Sequence, residues 1–468
     1  MTNLELKKWI PLTTGADYGE IYLEESSGTT VHLEDSKVEE ILSGKDRGAG
    51  LRYLKARQNS VTPHSSPYET FYSSLTEWDP KKAEQLYQRT LGKPPQSPSS
   101  QKAWNLARWD HPVLKAPEEL SLEGKIEFLQ NADREVRQKF PYIRQVSLTY
   151  AERRKRFILI NSLGHAREET RTTVLFMAHV TAEKDGLLQT GYEIVGGLKG
   201  LEILEEADPV HLAKKAAQRA VDKLSALPAR AGETMAIISS SAGGTLIHEA
   251  IGHSLEADLV QEGTSPVYHG KIGQKVAPEF LTIVDDPTIP FFRGSYVYDD
   301  EGTEAKPTIL VKNGILQDYL YDYLTSEKDK KPSNGHGRRE SYHHKPIPRM
   351  SNLYITPGAD NPQEILSSLQ KGLLVTKMGG GQVNTATGEF VFEVDEGFWV
   401  ENGKLKHQVR DASLLGVGPE LLKSIDRLGH DMGWGIGTCG KEGQGVPVSD
   451  GMPTLRIPKV LVGGKHES

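Results

Sequence analysis

The histidines of His248-Glu249-Ala250-Ile251-Gly252-His253 stand five positions apart, a spacing that a regular α-helix cannot turn to one purpose. At 3.6 residues per turn, side chains at i and i+5 diverge by about 140°, whereas an i, i+4 pair differs by only about 40°. If both imidazoles are to meet one ion, the helix has to be distorted. A single π-bulge brings i and i+5 onto one face, and a locally unwound turn near Gly252 would also serve. Gly252, lacking a Cβ, further lets another strand or a substrate approach the helix closely. The reading places this interrupted helix after a short apolar strand at 235–239 and a small-residue turn at 240–244.

A glutamate between two histidines supplies two neutral imidazole ligands and a general base, the combination used in metal-assisted hydrolysis. Glu249 is adjacent to His248 and one turn before His253, so its carboxylate can lean toward a water at the metal without being a ligand. The third ligand has three candidates: Cys439, Glu256 and Asp258. Cys439 is the only cysteine in the chain and lies in a glycine-rich stretch, GTCGKEG, that could present sulfur to a helix. Glu256 could ligate, or instead accept a hydrogen bond from an imidazole. Without a metal, the same residues would be a buried histidine pair satisfied by carboxylates and a cysteine packed as a small hydrophobe.

The chain has 468 residues, more than a single hydrophobic core usually organises, so two domains are expected. One cysteine excludes an internal disulfide framework and suits a reducing compartment, which points to the cytoplasm. Residues 1–15 lack the apolar core of a signal peptide, and no later window is apolar enough to span a bilayer, so no membrane association is expected. With 63 acidic against 56 basic side chains the net charge is −7, which makes nucleic acid a poor partner. The local run Arg153, Arg154, Lys155, Arg156 reads as a solvated face. Many of the 46 glycines crowd into the second half among Val, Ile, Tyr and Thr, a pattern of turn-rich antiparallel sheet.

Strands are expected at 18–23, 29–33, 36–43 and 48–53, and an exposed loop at 93–101, where KPPQSPSSQ cannot pack a core. Ser121 caps a helix to about Phe140; extended stretches follow at 145–161 and 172–182. A second helix starts at Pro209 and runs to about Leu224. Asn313-Gly314 and Asn402-Gly403 mark tight hairpins. The fold class is therefore α+β: an N-terminal α/β domain over 1–228, and a C-terminal domain over 229–468 dominated by antiparallel β-sheet and carrying the HExxxH helix.

Five blocks, GGTLIHEAIGHSLEAD (243–258), NGHGRRESY (334–342), PRMSNLYITPG (348–358), GGGQVNTATGEFVFEV (379–394) and GTCGKEGQGVPV (437–448), give the chain a resemblance to the TldD/PmbA metalloprotease family, in its TldD-like branch. The resemblance implies a cytoplasmic zinc-dependent peptidase with His248, His253 and Cys439 as ligands and Glu249 as the catalytic glutamate. It also implies a dimer enclosing a chamber, either a homodimer or a heterodimer with a related subunit, acting on unfolded peptides or small proteins. The alternative is a non-catalytic peptide-binding or regulatory partner subunit; the full His/Glu/His/Cys set, which the PmbA-like branch lacks, favours the enzyme. Gly379, Gly380 and Gly381 leave backbone groups open for a peptide to add as a strand. Arg338 can grip a substrate carboxylate, although Arg338 and Arg339 also suit structural salt bridges. The triplet Asp299, Asp300, Glu301 reads as a solvated hairpin edge more readily than as a second cation site. No role is assigned to His179, His343, His344 or His430.

Overall fold

The computed structural model describes residues 3–57, 66–96 and 104–464. Of the loop expected at 93–101, residues 97–101 lie outside the described residues. The first half is built on β1 (Tyr18–Glu34), β2 (Lys37–Ala56), β3 (Tyr68–Leu75), β4 (Leu106–Asp110), β5 (Ile143–Asn161), β6 (Ala166–Lys184) and β7 (Leu187–Gly197). These form one sheet in the order β3-β2-β1-β5-β6-β4, with β7 also on β6. Neighbours run antiparallel except β4 and β6.

The four short strands expected within 18–53 are in fact two long ones. Hydrophobic alternation lapses at the polar middle of β1, yet the strand persists because its backbone is paired on both sides: Gly28 faces Gly44 of β2 and Arg153 of β5. Asp35 and Ser36, both at positive φ, make the two-residue turn between them, so Ser36 is in the turn and not in a strand.

Two helices cover one face of this sheet. The first, Leu122–Lys139, starts where expected: the Ser121 hydroxyl accepts the Gly124 N–H at 3.1 Å. The second, Pro209–Lys223, has proline in its first turn, where no N–H is needed, and Asp208 as its cap. Leu129 and Val136 of the first and Ala213, Ala216 and Ala217 of the second pack on Val31, Tyr150, Val174 and Phe176. The second helix sits close because Gly191 of β7 lies beneath it; a Cβ there would be 2.3 Å from the Ala216 carbonyl oxygen.

The second half contains an eight-stranded and a six-stranded sheet, mostly antiparallel, with the histidine segment's Leu246, Ile247, Ile251 and Leu255 in the shared core. Both Asn-Gly pairs are hairpin turns at positive φ, 50° and 76° for Asn313 and Gly314, 51° and 69° for Asn402 and Gly403. The α+β class holds. No helix among the described residues is long and apolar enough to cross a membrane.

The acidic triplet corrects an expectation. Asp299, Asp300 and Glu301 are buried, at 0, 2 and 2 % exposure, where the two halves meet. Asp299 accepts the N–H groups of Glu301, Thr303 and Gly337, Asp300 that of Arg339, and Glu301 pairs with Arg52 of β2. A turn that reads as solvated is instead the socket for arginines brought by the other half. In the basic run 153–156, Arg153 and Arg154 are exposed as expected, whereas Arg156 is half-buried and pairs with Glu168, and Lys155 is buried and donates to the Glu340 carbonyl.

Candidate metal centre

After the strand Gly232–Ile238 the chain turns at Gly243, and the Gly244 N–H donates to Asp450 Oδ1 at 3.0 Å. Thr245–Ile247 begins as α-helix; His248–Gly252 is then a π-helical turn, in which the His253 N–H bonds the His248 carbonyl five residues back. This is one of the two distortions that the spacing demanded. It sets the imidazoles with ring centres 5.1 Å apart and planes nearly perpendicular. Gly418 presses on the turn, a Cβ there being 2.1 Å from the Ala250 carbonyl oxygen. Gly252 serves close packing of a different kind from that expected: Met350 Sδ and Leu353 occupy the space, as core side chains.

Cys439 lies on Gly433–Lys441, the edge strand of the six-stranded sheet. Its sulfur is 3.4 Å from His253 Nε2, and donor atoms of His248, His253 and Cys439 all lie within 4.8 Å of one another. The other two candidates for a third ligand point away. Glu256 Oε2 accepts from His253 Nδ1 at 3.0 Å and from Lys441 at 3.2 Å, and Asp258 pairs with Lys441 at 2.7 Å. Arg349, whose Nε is 3.9 Å from Glu256 Oε1, also donates to the Cys439 carbonyl. One buried carboxylate thus orients an imidazole, while a cation beside it holds the strand bearing the sulfur.

Burial by itself would push the Cys439 thiol up, but His248 and His253 bring it down to about 5. Burial also opposes charge on both rings; the sulfur raises His248, and Glu256 and the sulfur raise His253. Burial raises Glu249, offset in part by the two imidazoles. Glu256 is held down at about 2, because Lys441 and His253 outweigh its burial. A sulfur that prefers the thiolate, and a buried His248 Nδ1 without a hydrogen-bond partner among the described residues, fit a soft, nitrogen-binding divalent metal such as zinc.

The cluster opens on a cleft of about 690 Å³ that Glu249, Asp450, Tyr192 of β7 and Gly379–Gly381 also line. Gly379 and Gly380 bulge from the strand Lys371–Val383, opposite Glu393 alone, since Met378 pairs with Val394 and Gly381 with Phe392. The Tyr192 hydroxyl donates to the Met378 carbonyl at 3.1 Å. Across the cleft, Glu442 and Gly443 form a two-residue turn at positive φ, which makes Lys441 and Gln444 the hydrogen-bonded pair closing that hairpin. By alternation, the N–H and C=O of Thr438 and Gly440 point outward from the sheet edge.

Arg338 does not line the cleft. It is 3 % exposed and donates to the carbonyls of Met350 and Pro447, so it braces strands. Arg339 is an ion-pair partner of Glu20. His179, His343, His344 and His430 lie outside the cleft. Asp450, Arg349, Lys441 and Tyr192 were not singled out in the sequence. Arg349 and Lys441 sit inside two of the family-like blocks, but Tyr192 lies on a strand with no local signal, and only the packing of the two halves brings it here.

The PmbA/TldA metallopeptidase family matches in three consecutive blocks: its domain 1 over residues 19–65, its central domain over 115–224 and its C-terminal domain over 231–464. This chain belongs to that family. A metalloprotease TldD homolog of Haemophilus influenzae is 34% identical over 460 residues, covering 96% of this chain and 93% of its own. A zinc metalloprotease TldD homolog of Saccharolobus solfataricus is 33% identical over 248 residues, 53% of this chain and 55% of its own. The crystal structure of TldE from Thermococcus kodakarensis has the same fold, with TM-score 0.73 at 17% identity, covering 98% of this chain and 100% of that one. Membership in the PmbA/TldA family agrees with the resemblance read from the sequence blocks.

Proposed function

We propose that this PmbA/TldA family protein is a zinc-dependent peptidase acting on unfolded peptides or small proteins, with His248, His253 and Cys439 holding the ion and Glu249 as general base. The observation that carries this reading is the meeting of three donor atoms, two nitrogens and a sulfur, within 4.8 Å of one another in a cleft that Glu249 also lines. Relatives named metalloprotease, one of them zinc metalloprotease, support it. When bound, zinc supplies Lewis acidity toward water and the scissile carbonyl.

The chain's own residues do the rest. Glu256 keeps the proton of His253 on Nδ1, which leaves Nε2 free to bind. Glu249, raised by burial, is a better proton acceptor than an exposed carboxylate; it takes a proton from the attacking water and returns it to the leaving amine nitrogen. The outward edge at Thr438 and Gly440 and the bulged Gly379–Gly381 face a common cleft, which suits an extended peptide held by its main chain, with little demand on its sequence. A division of the chain at residue 228, a homodimeric or heterodimeric state and a cytoplasmic location belong to the same proposal.

The test is metal content and hydrolysis of an unstructured peptide by the purified protein before and after chelation, with zinc then restored. Hydrolysis should vanish and return in step with zinc. Undiminished hydrolysis by metal-free protein, or none by fully loaded protein, rejects the reading.

A further inference from the structure

Thr438, the residue before Cys439, lines two depressions: the cleft of the metal centre and a second groove of about 690 Å³ bounded by β1, β2 and β5 of the first half. Arg293 lines the second groove and reaches the residue that both depressions share. Its Nη1 donates to the Gly437 carbonyl, and both Nη atoms reach the Thr438 hydroxyl at 3.2 Å.

Most buried arginines elsewhere in this fold are matched with acids, Arg52 with Glu20 and Glu301, Arg339 with Glu20, Arg171 with Glu169 and Asp300, Arg219 with Glu193, whereas Arg338 is held by the Met350 and Pro447 carbonyls. Arg293, like Arg338, forms no ion pair among the described residues, but unlike Arg338 it lines an open groove. A second cation, Arg338, acts on it, and burial together with that neighbour brings Arg293 down to about 10. The acids of the groove are engaged elsewhere: Glu152 with Lys125, Glu340 with the Gly445 N–H, Asp46 with the Tyr342 hydroxyl. A partly buried guanidinium beside another cation, with N–H groups to spare, lacks an anion. A carboxylate satisfies it with two parallel charge-assisted hydrogen bonds, and the Thr438 hydroxyl, which accepts from Arg293, has its own proton to donate.

We propose that Arg293 and the Thr438 hydroxyl form a carboxylate subsite, so that the enzyme prefers peptides presenting an acidic group on the Thr438 face of the strand they add to the 436–440 edge. This rests on the peptidase reading above and adds a substrate class to it. Thr438 and Cys439 point to opposite faces of their strand, so the acidic group belongs to a peptide residue facing away from the metal. Either an Asp or Glu side chain or the C-terminal carboxylate has the required chemistry.

The experiment uses the full-length, zinc-loaded protein and four versions of one unstructured peptide. These are neutral with an amidated end, a single Glu with an amidated end, neutral with a free C-terminus, and a single Lys with an amidated end. The readouts are kcat/KM for the wild type and Kd on Glu249→Gln. One acidic version should exceed the neutral one by about tenfold, with the lysine version weakest; whichever acidic version wins identifies the source. In Arg293→Gln the acidic-to-neutral ratio should fall to near one, and Arg293→Lys should keep part of it. Equal handling of the four peptides by the wild type, or a preference that survives in Arg293→Gln, overturns the subsite. If Arg293→Gln fails to hold zinc, the wild-type ranking decides alone. If nothing is cleaved the peptidase reading fails, while the four Kd values still decide on the subsite.

Discussion

Glu249 lines the cleft beside both imidazoles, next in sequence to one of them, and replacing its acid by an amide tests its role with little change of shape. Glu249→Gln is expected to bind zinc as the wild type does and to lose hydrolysis by about 10²- to 10⁴-fold, read from metal content and initial rates on the same samples. Full turnover in that variant would remove Glu249 as the base. Glu256→Gln tests a different contact. The carboxylate accepts from His253 Nδ1 and from Lys441, and an amide cannot serve both equally. Zinc affinity should drop by about 10- to 100-fold in a chelator competition; unchanged affinity would make the His253–Glu256 contact incidental. That Glu256 hydrogen-bonds a ring and lies outside the donor cluster was left open by sequence spacing. The choice depends on Lys441 and Arg349, which reach Glu256 from distant parts of the chain.

Among the elements, the π-helical turn was the most legible, because two imidazoles five residues apart can share a face in few ways. What holds the turn in place was not legible. Gly418 abuts the Ala250 carbonyl with backbone against backbone, so neither partner can swing aside. Gly418→Ala should destabilise the protein by about 1–3 kcal/mol in thermal unfolding and lower its zinc content, since the displaced turn carries both histidines. An unchanged melting temperature and full zinc loading would show that the contact relaxes freely. The Ser121 cap, the proline opening at 209 and the two Asn-Gly hairpins were readable because each is decided within a few residues. The long β1–β2 pair was not, because its polar middle is held by neighbouring strands and by no property of its own residues.

Across the whole molecule, the two halves meet along a buried charged seam. Glu169 of β6 is fully buried, pairs with Arg171 at 2.7 Å and His111 at 2.9 Å, and accepts the N–H groups of Val297 at 3.2 Å and Tyr298 at 2.9 Å from the other half. Burial alone would raise its pKa, but Arg171 and His111 outweigh it and hold the group below its ordinary value of 4.5. The folded protein therefore binds that proton more weakly than the unfolded chain does. The stability from Glu169 is fully present above the ordinary carboxylate value and is lost as pH falls through the depressed one. Glu169→Gln should cost about 3–5 kcal/mol in denaturant melts at about pH 7, and the gap from wild type should narrow toward about pH 3. A gap independent of pH would assign the loss to packing alone. By itself the sequence determined the two-histidine, one-glutamate, one-cysteine inventory, the need for a π turn or an unwound one, and the caps and hairpins, because helix pitch, turn φ and capping act over a few neighbouring residues. The sequence blocks already implied Cys439 as the partner of the two imidazoles, and tertiary structure shows the three donors together; tertiary structure alone decided that Arg293 lines the groove next to the cleft while Arg338 braces strands, and that Asp299, Asp300 and Glu301 are buried. Which charges lose their water, and which partners they then meet, depends on elements far apart in the chain.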